Sequence, residues 1–177
     1  RASGTLTFPA NFLLVAAMNP CPCGFYGDPL RPCSCTPTVI KRYQGRISGP
    51  LLDRIDIHVD VPRVEYDRLI SDGRSETSAS VRERVEQART RQRQRLSGRH
   101  GLYANADMGP GEIQELCVLQ PDARQLLDMS VRRMQLSARA YHRVLKLSRT
   151  IADLADSERI EVTHVAEALQ YRPRTTV

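Results

Sequence analysis

The sequence has no apolar run near the roughly 20 residues that a membrane-spanning helix requires. Its first residues also lack the order of charged, apolar and small side chains that marks a signal peptide. Hydrophobic residues make up 41% of the 177 positions, which is typical of a folded protein and not of a disordered one. We therefore expect a cytoplasmic protein of one domain or two small ones, with no membrane partner.

Lysine is almost absent. Lys41 and Lys146 are the only lysines among 26 basic residues, and the net charge is +6. Arginine suits phosphate because its planar guanidinium donates two parallel hydrogen bonds. The charge therefore favours a nucleotide or nucleic-acid partner over an acidic protein.

A phosphate-binding loop is also lacking. The chain contains no GxxxxGK[ST] motif and no acidic cluster after an apolar strand pattern. These motifs hold the phosphates and the magnesium ion of a bound nucleotide. We expect that this stretch of chain does not hydrolyse ATP by itself.

Proline and glycine divide the first 70 residues into short segments with strand patterns. We predict strands at Thr5–Phe8, Phe12–Met18 and Ile55–Val61. The second is continuously apolar, as in a central parallel strand, and the third alternates apolar and polar side chains. Residues 71–80 are small and polar, which predicts a linker.

Residues 81–177 predict an all-helical domain, so the fold class is α/β plus all-α. The first predicted helix, Val81–Leu96, has Ser80 as its N-cap, and the longest begins after Ser137. Three more are predicted at GPGEIQELCVL, PDARQLLDMSVRRM and THVAEALQYR, the last capped by Thr163. The longest helix carries an apolar stripe at three- and four-residue spacing, which must pack on a neighbour: Ala140, Val144, Leu147, Ile151 and Leu154.

Four of the five cysteines lie within fifteen residues, at Cys21, Cys23, Cys33 and Cys35. Four thiols can close a tetrahedral structural zinc site, and a reducing cytosol disfavours disulfides. One intervening residue in each C-x-C pair strains the approach of both sulfurs to one metal, so free thiols remain an alternative, and disulfides a weaker one. We predict that Cys117 is a small core residue.

Four motifs in order carry a family resemblance: VAAMNPCPCGFYGD, RISGPLLDRIDIHVDVP, LSARAYHRVLKLSRTIADL and EALQYR. Together they resemble the C-terminal part of the magnesium-chelatase-like AAA+ ATPases, in the group of ComM (competence) and YifB. The resemblance implies a partial AAA+ core at residues 1–70 and a helical lid at residues 81–177. Both Walker motifs belong to the part of the family's core that this chain does not cover.

The resemblance assigns Asn19 to sensor 1, the polar residue that orients the attacking water near the γ-phosphate. An amide is suited to this role because it can donate to phosphate and accept from water. In the simpler interpretation, Asn19 only ends the strand before Pro20.

The resemblance also assigns two arginine roles. Arg54 is implied to be the arginine finger presented to ATP on a neighbouring subunit, and Arg139 to be sensor 2, with Arg143 as the substitute. The simpler interpretations are a salt bridge from Arg54 to Asp53 or Asp56 and a solvated Arg139.

The resemblance implies an ATP- and magnesium-dependent homo-hexamer that translocates on DNA, with branch migration in recombination or natural transformation. One rival is a magnesium-chelatase subunit that drives metal insertion into a porphyrin, and another is a zinc-stabilised nucleic-acid-binding module without ATPase activity. Thr5–Phe8 beside Arg1 resembles one arm of a DNA-contacting pore hairpin. The arginines of Val81–Leu96 spread around the helix, which favours a solvated face over DNA contact.

Overall fold

A computed structural model describes residues 5–8, 10, 12–62 and 76–172. The chain divides into two compact units, Arg1–Ser48 and Gly49–Val177. Among the described residues, no helix combines the length and the apolar character needed to cross a membrane.

The first unit is built around the cysteine-rich loop and one helix, α1 (Pro37–Gln44), which begins with a proline in its first turn. Proline is favoured there because the first backbone N–H groups of a helix have no intrahelical acceptor. Ile40 is buried on this helix. At its end, the Gln44 side-chain amide donates to the Pro20 carbonyl at 3.0 Å, so α1 is fastened to the start of the loop.

The predicted strands are not present in the described residues, which contain no β-strand beyond one isolated bridge. Phe12–Met18 has no regular secondary structure and its side chains are exposed, with Leu13 at 90%. Thr5–Phe8 and Ile55–Val61 also lack ladder partners. A strand requires a neighbouring strand for its backbone hydrogen bonds, and no described segment supplies one. The partial α/β core predicted for residues 1–70 is therefore not seen.

The second unit begins at Gly49, well before the predicted lid at residues 81–177, and from residue 81 onward its described part is helical as predicted. It contains α2 (Gly49–Leu52), α3 (Ser78–Arg95), a 3₁₀ turn (Asn105–Asp107), α4 (Pro110–Leu116), α5 (Pro121–Met134), α6 (Ala138–Leu154) and α7 (Val162–Gln170). Residues 119 and 160 form a parallel bridge between the loops after α4 and α6.

Helix starts differ from prediction where another side chain accepts the first free N–H. The Thr77 hydroxyl accepts from the Ser80 N–H at 3.2 Å, so α3 begins three residues before the predicted Val81. The Ser137 cap of α6 is confirmed by a 3.1 Å bond from the Ala140 N–H. At α7, the His164 ring accepts from the Glu161 N–H, so Glu161 and not Thr163 is the N-cap residue.

Helix α6 forms the centre of the core of the second unit, and it packs on α3, α4 and α7. Ala140, Val144 and Ile151 of the predicted stripe are buried, whereas Leu154 is exposed. Cys117 is also buried in this core, as predicted. Burial raises the pKa of its thiol to about 11, as expected for an unreactive core residue.

A charged cluster lies within the same core. Asp153, fully buried on α6, pairs with Arg149 of the same helix and with Arg95 of α3. The Asn105 amide donates to the Asp153 carboxylate at 2.8 Å. Burial lowers the pKa of Arg149, an effect that the charge of Asp153 opposes. A satisfied network of this kind fixes how α3 sits on α6.

Candidate functional site

The predicted arginine finger follows a single helical turn. GPLL forms α2, and the Asp53 N–H donates to the Gly49 carbonyl at 2.8 Å. The Arg54 N–H donates to the Leu51 carbonyl at 2.9 Å. Farther on, the His58 N–H donates to the Tyr171 carbonyl at 2.9 Å, which ties the following segment to the end of α7. The backbone on both sides of Arg54 is therefore held in place.

The Arg54 side chain itself is exposed. Its guanidinium donates to the Pro50 carbonyl at 2.9 Å and forms no ion pair within the described part of the chain. The alternative to a finger, a structural Arg54, requires a salt bridge from Arg54 to Asp53 or Asp56. In the structure both carboxylates pair with other arginines, so the charge of Arg54 is not neutralised by either of them.

Asp53 is the meeting point of three arginines. Arg172 Nη2 lies 3.0 Å from Asp53 Oδ1, and Arg139 Nη1 lies 4.0 Å from Asp53 Oδ2. Arg143 donates to the Asp53 backbone carbonyl at 2.5 Å, and its Nε lies 3.4 Å from Asp56. The residue before Arg54 is thus held through its side chain and its backbone.

The two sensor 2 candidates occupy adjacent turns of α6, on one face, because they are four residues apart. Their environments differ. The Arg139 side chain is 60% exposed and, among the described residues, has only the long contact to Asp53, whereas the Arg143 side chain is 19% exposed and contacts Asp53 and Asp56. Arg139 is therefore the freer of the two to contact an added anion.

Asn19, the predicted sensor 1 residue, is exposed and belongs to the first unit. It follows the apolar segment Phe12–Met18 and directly precedes Pro20, whose carbonyl accepts from Gln44. Gly24, with φ of +85°, has a backbone geometry that side chains rarely adopt, and it lies beside the Asn19 amide. The loop thus turns back close to Asn19.

The four clustered cysteines do converge. Cys21, Cys23, Cys33 and Cys35 place their sulfur atoms within 4.8 Å of one another. The closest pairs are 3.3, 3.5 and 3.7 Å apart, far longer than a disulfide bond, and all four are free thiols. A tetrahedral zinc ion with bonds of about 2.3 Å requires sulfur separations of about 3.8 Å. The donor set therefore fits such an ion.

The thiols of the cluster have unequal proton affinities. Hydrogen bonds from the Phe25 N–H and from Cys21 lower the pKa of Cys23 to about 5. A bond from the Cys35 N–H acts to lower that of Cys33, but burial and the neighbouring Cys23 and Cys21 raise the pKa of Cys33 to about 12. Sulfurs this close do not ionise together without a cation to offset their charges.

The arginine-rich helix α3 directs most of its charge toward acidic residues of its own unit. Four of its arginines form ion pairs, namely Arg84–Glu76, Arg91–Asp156, Arg93–Glu86 and Arg95–Asp153. Just beyond the helix, Arg99 pairs with Glu115 at 2.5 Å. These pairs favour a structural and solvated role over DNA contact for this helix. Arg1 of the predicted pore hairpin lies outside the described residues.

Sequence reasoning missed Arg172 and the role of Asp53. Asp53 was considered only as a partner for Arg54, and Arg172 ends the EALQYR motif, for which no role was predicted. The motif itself carried a signal. Its tyrosine and arginine stand at the end of a predicted helix and do not belong to an apolar stripe, so core packing does not explain why they are there. The partner of Arg172, 119 residues away, could not be read from the sequence.

Two family profiles cover nearly all of the chain. Residues 75–172 match "Magnesium chelatase, subunit ChlI C-terminal", and residues 1–69 match "Magnesium chelatase, subunit ChlI". The first match alone spans more than half of the chain.

Individual relatives agree with the profiles. The chain is 44% identical over 173 residues to the competence protein ComM of Haemophilus influenzae. It is 40% identical over 174 residues to the uncharacterized protein YifB of Salmonella typhimurium and 39% identical over 176 residues to YifB of Escherichia coli. Each match covers 97% of this chain and 33% of the relative, so the chain spans about a third of their length.

Proposed function

Because the chain belongs to the magnesium-chelatase-like AAA+ ATPase family of ComM and YifB, we propose that it forms the arginine-finger turn and helical lid of an ATP-driven hexamer that translocates on DNA. The observation that carries the proposal is the state of Arg54. It is exposed, and the carboxylates beside it in sequence are paired with Arg139, Arg143 and Arg172.

An arginine finger must reach a nucleotide held by a different subunit. Its positive charge stabilises the transferring phosphoryl group, and this contribution is worth about 10³- to 10⁵-fold in rate. A guanidinium already neutralised by a carboxylate would lose most of that effect. The contacts around Asp53 and Asp56 support the finger role because they occupy both of these carboxylates with other arginines.

Two further residues complete the proposed catalytic set. Asn19 would orient the attacking water through its amide, as sensor 1. Arg139 would contact phosphate oxygens as sensor 2, which is supported by its greater exposure relative to Arg143. ATP and Mg²⁺ would be held by Walker motifs outside this chain, since no residues here form a phosphate loop.

The decisive variant is Arg54→Ala in the full-length protein. We expect ATP turnover to fall by about 10³-fold or more while ATP binding is retained, because the finger acts on the transition state. Arg82→Ala is the matched control, since Arg82 is exposed on α3 and has no polar partner among the residues described. Normal turnover by the Arg54 variant would remove Arg54 from this role.

The DNA activity requires its own assay. We expect the full-length protein to drive ATP-dependent branch migration on a strand-exchange substrate, and the Arg54 variant to fail. The rival activity is metal insertion into a porphyrin, which the names of the family profiles favour. Insertion without branch migration would support that rival. DNA binding by an ATPase-independent protein would support the non-enzymatic module.

We also propose that the four clustered cysteines bind a structural zinc ion. The support is the separation of their sulfur atoms, which matches the edges of a zinc–thiolate tetrahedron. Metal analysis of the full-length protein should find about one zinc per chain. Cys33→Ser should lower that content, and Cys117→Ala, which removes a thiol outside the cluster, should not. A metal-free protein with native hydrogen-exchange protection in the loop would exclude the site.

A further inference from the structure

Beside the long contact from Arg139, Asp53 is held by two shorter and independent contacts from the helical region. Arg172, just after α7, binds its carboxylate at 3.0 Å. Arg143 of α6 binds its backbone carbonyl at 2.5 Å. The side chain of Asp53 and the peptide group that leads into Arg54 are therefore fixed at once.

Arg172 is unusual for a residue whose partner is on the surface. Its side chain is 7% exposed, whereas that of Asp53 is 36% exposed. Its Nη1 atom is buried and has no hydrogen-bond partner in the described structure. Arg149, the other deeply buried arginine of the described residues, donates to Asp153 and to the Ser157 and Glu158 carbonyls.

This contrast indicates that Arg172 is not arranged for stability alone. A buried guanidinium N–H without an acceptor costs free energy, and such groups in native structures require a specific explanation. In Arg172 this cost is present, and the other terminal nitrogen, Nη2, donates to Asp53, the residue before Arg54. The neighbouring backbone makes the same connection, because the His58 N–H donates to the Tyr171 carbonyl.

We propose that Arg172 is a positioning residue for Arg54, acting through Asp53. The inference rests on the proposed finger role of Arg54 and deepens it. Arg172 holds the Asp53 carboxylate, the carboxylate fixes the turn after α2, and the turn presents the Arg54 guanidinium. Through Arg172, the C-terminal end of α7 thereby sets the position of the Arg54 guanidinium.

The test uses Arg172→Gln in the full-length protein. Displacing a catalytic group by about 1 Å can cost up to about 100-fold in rate, so we expect a 10- to 100-fold lower kcat for ATP. The KM for ATP should not change, because Arg172 is proposed to act on the position of Arg54 and not on the nucleotide. Arg124→Gln, an exposed arginine of α5, is the control and should retain full turnover.

A double variant separates positioning from general damage. In an Arg54→Ala background, Arg172→Gln should lower turnover no further, because the group that it positions is already gone. An equal fold-loss in both backgrounds, or an unchanged kcat in the single variant, would overturn the inference. If Arg54→Ala itself retains normal turnover, the finger role fails first, which is a distinguishable result.

Asp53→Asn provides a second route if Arg172→Gln does not fold. It weakens the same contact from the more exposed partner, Asp53, without altering the buried guanidinium. We expect the same fall in kcat and the same lack of additivity with Arg54→Ala. A full kcat for Asp53→Asn would contradict the proposal whatever the fate of the Arg172 variant.

Discussion

The two units of the chain are each stabilised internally, but by different kinds of contact. In the second unit, apolar side chains of α5, α6 and α7 are buried around a satisfied charged cluster. Among the described residues of the first unit, most large apolar side chains are exposed, while Cys21 is fully buried and Ile40 nearly so. One unit is stabilised by a hydrophobic core, while the other has its sulfur cluster, one short helix and a few hydrogen bonds.

The difference shows what each unit requires from outside itself. Helices satisfy their backbone groups internally, so a helical unit needs only a partner for its apolar faces. An apolar segment with a strand pattern, such as Phe12–Met18, needs neighbouring strands for its backbone as well. The first unit therefore depends on other contacts, of which the proposed metal would be the strongest.

The largest expected effect is the removal of that metal. Structural zinc sites contribute about 10–16 kcal/mol of apparent binding free energy in zinc-finger peptides. In the full-length protein, a chelator or Cys33→Ser should abolish hydrogen-exchange protection around residues 20–36 and leave α6 protected. Equal loss in both regions, or none in the loop, would mean that the two units do not differ as described.

A smaller effect is expected from breaking the buried charged cluster of the second unit. Asp153→Asn leaves Arg95 and Arg149 without a compensating charge, and should cost about 3–5 kcal/mol. The readout is hydrogen-exchange protection of α6. The control is Asp156→Asn, because Asp156 is 78% exposed and its pair with Arg91 should contribute under about 1 kcal/mol. Similar losses for both variants would refute the importance of burial.

The smallest effect tests a local contribution to the same helix. Ser137→Ala removes the N-cap of α6 and should cost about 1 kcal/mol. Ser130→Ala, within α5, removes a hydroxyl that donates to the Leu126 carbonyl of the same helix. The free energy of unfolding should therefore be unchanged or slightly raised. The comparison is made by hydrogen exchange in each helix. A larger loss for Ser130→Ala would contradict the capping role.

Much of the helical unit could be predicted from the sequence because its signals are local. The bounds of α5 and the Ser137 cap were read directly from proline, serine and apolar spacing. The starts of α3 and α7 were misjudged because several residues nearby can cap, and the sequence does not show which one does. The strand predictions failed because a strand depends on a partner strand elsewhere in the chain. The described residues do not supply such a partner.

For the candidate site, too, some features could be predicted from the sequence and others could not. Sequence alone identified Asn19, Arg54, Arg139 and the four cysteines as residues to examine, through motif resemblance and spacing. It could not show that the sulfurs converge or which arginines pair with Asp53. These facts depend on contacts between distant parts of the chain.

The sequence by itself determined the family and the helical character of the chain from residue 81 onward, and it singled out candidate site residues, because motifs and periodicity are properties of neighbouring positions. Only the tertiary structure decided that Asp53 and Asp56 pair with arginines other than Arg54. An ion pair depends on distance in space, and Arg172 lies 119 positions from its partner. Packing of α6 and α7 brings them together and leaves Arg54 exposed.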